Sequence, residues 1–228
     1  MSVLTFDFPD IPISKCLFVP AFTTDMQMSD VSGHEHITEN PGERWVIQYH
    51  FKVLTLDEGK LLKQHLGKLR GSVNKSRLRD SLFTTQSGTW GGSPVIDGAG
   101  QYGLYADVRG FTPNQVVADA MDRCVIGTQL MEISDQATAD GTGRTRLYFT
   151  NELRELTTDG MAVISDVSSL RTIGRWTNPS QIQQLSGNRR LYRNITLDFV
   201  KAINFTITTT VNTKLFVAAT LFSSPALI

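Results

Sequence analysis

The stretch from Arg44 to Gly71, RWVIQYHFKVLTLDEGKLLKQHLGKLRG, constrains the fold more than any other part of the chain. Trp45, Ile47, Tyr49, Phe51 and Val53 fall on one parity, and Gln48, His50 and Lys52 on the other, which is the period of a strand with one buried face. That face needs a partner, and the residues that follow supply one. Thr55 stands at an N-cap position with Glu58 three residues on, so hydroxyl and carboxylate can each satisfy a backbone N–H in a capping box. The helix that opens there puts Leu62, Leu66 and Leu69 on one stripe, flanked by Leu61 and His65. Lys60, Lys63, Gln64 and Lys68 face water, and Gly71 after Arg70 is the stop. At ~1.5 Å per residue the helix is about 22 Å long, enough to cover one face of a small sheet. The expected core is therefore Trp45, Ile47, Tyr49 and Phe51 against Leu62, Leu66 and Leu69, with Thr55 and Glu58 as the cap.

A chain of 228 residues can bury enough surface to fold without staples. Its 22 basic and 22 acidic residues cancel, leaving no bulk electrostatic reason to bind nucleic-acid phosphates or an anionic membrane. Cys16 and Cys124 stand far apart in no metal-ligand or redox spacing and read as reduced, structural thiols, with a single disulfide as the alternative. The N-terminus carries Asp7, Asp10 and three prolines, unlike a signal peptide. The apolar run Leu215 to Phe222 is far short of the roughly 20 residues a membrane-spanning helix needs. A soluble protein made in a cytoplasm is expected.

Along the chain, residues 1 to 22 mix short apolar pieces with Pro9, Pro12 and Pro20, which suit edge strands or an extended arm reaching a neighbour. Thr23 to Gly42 is polar and ends in the turn signal Asn40-Pro41-Gly42, so a loop or irregular hairpin is expected. Ser72 to Phe83 is short, basic and extended. Thr84 to Pro94, TTQSGTWGGSP, reads as a linker or long loop and marks a boundary. Two small apolar runs surround Gly98-Ala99-Gly100. Thr112-Pro113-Asn114-Gln115 reads as a helix start, although Met121 to Ile126 can alternate as a strand; a short helical turn near 113 to 118 followed by strand is expected. Leu130 to Ser134 and Thr145 to Thr150 are strand-like runs joined through the hairpin signal Ala139 to Gly143. Met161 to Asp166, Leu170 to Trp176 and Tyr192 to Val200 read as strands, with a turn at Ser186-Gly187-Asn188 and one or two more strands in the threonine-rich end.

Little in the sequence points to chemistry. His34-Glu35-His36 with Glu39 is the densest set of metal-type ligands, without a further ligand at a recognised spacing, and reads as a solvated loop. His50 and His65 read as surface or boundary residues. There is no GxSxG turn, no GxGxxG between a strand and a helix, no Walker lysine and no calcium-loop order among the aspartates. No catalytic residue, cofactor or metal is expected. Trp45 is read as core, whereas Trp90, in a flexible glycine stretch, and Tyr102, near exposed glycines, are candidate glycan contacts.

The order strand, capped helix, Gly-rich passage, inserted β unit and returning strands resembles the distal tail proteins (Dit) of long-tailed bacteriophages, in the variant with an inserted oligonucleotide/oligosaccharide-binding (OB) barrel. The likeness is carried by Arg44-Trp45 leading into the alternating strand, the LTLDEGKLLKQHLGKLRG helix, and ADAMDRCVIGTQLMEIS followed by RTRLYFTNELR; VSSLRTIGRW and YRNITLDFVKAIN match the returning strands. It spans roughly residues 40 to 204. The resemblance implies a mainly β fold with one principal α-helix. A tail-tube-like β-sandwich or barrel domain would comprise residues 1–93 and 155–228, with a small OB-like barrel inserted at 94–154. It further implies a hexameric ring in the virion tail, assembled in the host cytoplasm. The implied partners are copies of itself, the tail tube protein, the tail hub protein, and collar or fibre proteins on the inserted domain, with no sequence-specific nucleic acid and no membrane insertion. Ring contacts of this kind are heterologous and close by rotation. The reading from a different class is a carbohydrate-binding module or adhesin using Trp90 and Tyr102.

Overall fold

The structure, a computed structural model, describes residues 3–28, 33–180 and 191–202. The Ser186-Gly187-Asn188 turn and the threonine-rich terminal strands lie outside them. In chain order the strands are β1 (Thr5–Asp7), β2 (Lys15–Met28), β3 (Glu35–Thr55), β4 (Lys75–Leu78), β5 (Gly92–Ile96), β6 (Gly103–Phe111), β7 (Val116–Ala118), β8 (Arg123–Ile126), β9 (Gln129–Glu132), β10 (Ala137–Thr138), β11 (Arg144–Leu153), β12 (Val163–Ile164), β13 (Thr172–Trp176) and β14 (Leu191–Lys201). The single α-helix among the described residues, α1 (Leu56–Leu69), leaves β3 directly. The fold is mainly β with one principal helix.

Six strands form one curled, half-barrel sheet in the order β1-β4-β13-β14-β3-β2. All its pairs are antiparallel except β1 with β4. Trp45, Ile47, Tyr49 and Phe51 of β3 are fully buried, as are Ile195, Leu197 and Phe199 on the neighbouring β14. Leu62, Leu66 and Leu69 of α1 complete the same cluster, so the helix covers the face that the strand's alternation required. Each such leucine, taken from water to core, contributes roughly 1.5–3 kcal/mol. The alternation ends one step earlier than expected: Val53 is exposed, and Leu54 takes the inward position just before the helix.

The helix begins as the sequence prescribes. The Glu58 backbone N–H donates to Thr55 Oγ1, and the Thr55 N–H donates to Glu58 Oε2 at 2.8 Å. At the other end Arg70 itself adopts the left-handed conformation, with Gly71 following it in the same region. His65, expected at the surface or at the boundary of the core, is buried: its Nε2 lies 3.0 Å from Ser76 Oγ, and the Phe8 ring packs edge-on against it. The N-terminal segment that carries Phe8 covers that flank of the helix, which helix periodicity alone could not reveal.

A second hydrophobic cluster gathers β5 to β12, centred on Ile96, Val108, Ile126, Met131, Ile133 and Leu147. Its strands form two three-stranded sheets, β11-β6-β5 and β12-β8-β9, and the small pair β10-β7. Two expectations change here. No helical turn forms at 113 to 118: Asn114 is left-handed, and Val116 and Val117 sit in β7, their carbonyls accepting from Thr89 and Trp90 N–H. The Asp140 to Gly143 turn does form, but β9 pairs with β8 and meets the β11 run through the isolated Ile133–Phe149 bridge and the Asn151 side chain, which bonds the Glu132 N–H and the Leu130 carbonyl.

Candidate assembly surface

The stretch Thr23 to Gly42, expected as a loop or irregular hairpin, takes the second form where it is described, as the outer half of a long antiparallel ribbon of β2 and β3. Near the body the two strands pair from Lys15–His50 to Ala21–Arg44, and farther out from Thr23–Asn40 to Met28–Glu35. Between these runs the register shifts, with extra residues on β3. The Asn40-Pro41-Gly42 signal thus makes a bulge and no reversal. Proline has no N–H to give the ladder, and a bulge accommodates that loss while bending the strand.

Beyond the bulge the ribbon is two-sided. Met26 pairs with Ile37, and Met28 is two residues from Met26, so these three share a face; each is more than 60% exposed. Asp25, Gln27, His36 and Thr38 take the opposite face. Phe22, at the bulge, is half exposed. β2 is also the last strand of the sheet, and no described strand pairs with its outer edge. A long, unpaired edge beside a wet apolar face is the kind of surface a monomer must blunt or a partner must cover. Pro20 and Lys15 blunt its inner half. Sequence reasoning left the outer half open between loop and irregular hairpin because a ribbon wet on both faces shows no burial period; the Met26-x-Met28 spacing was a further signal.

The sheet and the second cluster meet at Arg123. Its guanidinium, only 7% exposed, bonds Asp80 at 2.7 Å and Glu132 at 3.1 Å, and lies about 5 Å from the ring centres of Phe18, Trp45 and Phe83. Trp45 Nε1 donates to the Leu130 carbonyl across the same junction. Burial pushes the Glu132 carboxyl up, and the adjacent Arg123 pulls it back. Nearby, buried Glu43 accepts the Glu152 N–H and lies beside Arg154, tying β3 to β11.

The candidate glycan contacts separate. Trp90 is buried, its Nε1 donating to Asp122 Oδ2 at 3.1 Å, and so offers no surface to a ligand. The expected linker around it is held in place. Buried Asp122 accepts the N–H groups of Ser87, Gly88 and Asp119 as well. A Cβ at Gly88 would lie 2.4 Å from the Val117 carbonyl oxygen, so this glycine serves close approach to β7. Tyr102 is 72% exposed. Not far along the chain, Tyr105 and Tyr148 stand side by side across β6 and β11, and the Arg146 guanidinium lies 4.4 Å over the Tyr105 ring.

Among the described residues no three His, Cys, Asp or Glu side chains gather as metal ligands, and His34, Glu35 and His36 are exposed. Both cysteines are free. Burial, aided by Asp80, pushes the Cys16 thiol up to about 12, and burial raises Cys124 too, so neither is a ready nucleophile. No described helix is long and apolar enough to cross a membrane. Compared with known protein families and with curated proteins, the sequence matches none.

Proposed function

We propose that this protein is a structural component of a long-tailed bacteriophage tail tip. It is read as one subunit of a hexameric ring that joins the tail tube to the hub and receptor-binding apparatus, with residues 94–154 as an OB-type barrel inserted in a tail-tube-like domain. The observation that carries this reading is the amphipathic ribbon beyond the β3 bulge, continuous with the unpaired β2 edge: two adjoining surfaces that a second subunit would cover. The pattern likeness to distal tail proteins supplies the kind of assembly. Electron microscopy of the purified chain, alone and with the tail tube protein, is expected to show six-fold rings. The double variant Met26→Glu/Ile37→Glu is expected to remain folded, because exposed substitutions cost within about 0.5 kcal/mol, yet to run as a monomer. A wild-type chain that stays monomeric beside its tube partner would sink the reading.

Glycan binding is the second reading, favoured by exposed Tyr102 and the Tyr105–Tyr148 pair rather than by Trp90. A glycan array bound by wild type and not by Tyr105→Ala would support it, and a blank array would remove it.

A further inference from the structure

The segment from Phe8 to Ile13 lines one side of a cavity of about 180 Å³. Its apolar part comes from Phe8, Ile11 and Ile13, with the Tyr49 ring beside them. Arg77, Arg79 and Arg171 line it from the ends of β4 and β13. The charges do not balance: three guanidiniums face two carboxylates, Asp10 on Arg79 and Asp7 shared between Arg77 and Arg171. Each pair uses a single guanidinium nitrogen. Arg79 bonds Asp10 through Nη2 at 2.5 Å, Arg171 bonds Asp7 through Nη1 at 3.0 Å, and Arg77 reaches Asp7 only at 3.5 Å. Each guanidinium carries five N–H donors, so most of each fork is left to solvent or to a ligand. Asp80, next to Arg79 in the chain, is engaged by Arg123. Tyr49 Oη donates its proton to the Arg79 carbonyl.

A surplus positive charge above an apolar floor selects a ligand with both characters. We propose that this cavity binds a small organic carboxylate, its apolar body against Phe8, Ile11 and Ile13 and its oxygens shared by Arg79, Arg77 and Arg171. The volume falls below the roughly 300 Å³ at which drug-sized pockets begin, which limits the body to one ring or a short chain. Bound there, the ligand ties the N-terminal segment to β4 and β13. The inference is independent of the ring reading.

The test titrates the full chain with benzoate, inorganic phosphate and benzyl alcohol while following the Ile11 and Ile13 methyl signals by NMR. Benzoate is expected to shift both signals saturably and to bind about tenfold tighter than either other probe, since it alone offers both oxyanion and ring. Arg79→Gln and Arg171→Gln are each expected to weaken benzoate by about tenfold. Both arginines are substantially exposed, so the urea midpoints should match wild type; Arg171→Lys, which keeps the charge, provides a folded comparison with partial affinity. The proposal is overturned if no saturable shift appears at those methyls or if benzyl alcohol binds as tightly as benzoate. It also fails if phosphate does so, leaving an adventitious ion only, or if benzoate ignores both glutamine variants.

Discussion

Asp122 holds four N–H groups, three of them from a glycine-rich segment that by composition alone reads as a flexible tether and the fourth from Asp119. Asp122→Asn turns an N–H of its own toward at least one of those donors. The expected cost is about 3 kcal/mol, within the range for hydrogen bonds to a buried charge plus orphaned donors, and hydrogen exchange at Ser87 and Gly88 should lose its protection. His65 gives a pH prediction. Burial first, then Lys68, lowers it from the ordinary value to about 4, so it folds as the neutral ring. Between pH 6.5 and 4 the unfolded chain binds a proton there that the folded chain refuses. Stability from this residue is therefore complete above about pH 6.5 and is lost as pH falls toward 4, by an amount of order 3 kcal/mol. Urea unfolding of wild type and His65→Gln across this window should show the difference, with the variant less sensitive to acid. None of this was legible in the sequence, because each residue's role comes from a segment distant in the chain.

At the scale of elements, the β3–α1 unit was legible because both of its periods are enforced by a single buried interface. The outer ribbon was legible only as a choice between loop and irregular hairpin, since neither of its faces is buried in the chain itself. The helical reading of 113 to 118 failed for another reason: local capping chemistry at Thr112 lost to pairing of Val116 and Val117 with the segment around Thr89, a tertiary contact. Gly59 shows how an element can carry a residue that its own propensity disfavours. Alanine there would gain about 1 kcal/mol of helix propensity, but its Cβ would sit 2.2 Å from the Tyr192 ring. Overpacking costs about 1–3 kcal/mol, so Gly59→Ala should destabilise wild type in thermal melts. In a Tyr192→Ala background the same substitution should stabilise, and an unchanged sign would refute the steric account.

Over the whole molecule, Arg123 is where the two hydrophobic clusters meet, and its charge is hidden from both sides. Arg123→Met keeps much of the side chain's bulk among Phe18, Trp45 and Phe83 but strands Glu132 and Asp80. Breaking a buried pair from one side costs about 3–5 kcal/mol, readable as a fall in unfolding free energy. Adding Glu132→Gln should recover part of that loss, whereas a merely steric role for Arg123 would leave the double variant no better than the single. The sheet ends in two unlike edges, three-residue β1 on one side and fourteen-residue β2 on the other, an asymmetry that would suit contacts between unlike surfaces. β3 itself runs without interruption from the ribbon, through the bulge, into the sheet between β2 and β14, and straight on to α1. A tug on the tip would therefore travel along that strand and be shared by the whole ladder with β14 in shear, so the projecting end behaves as a tether sunk deep in the body, which peeling from the edge could not release.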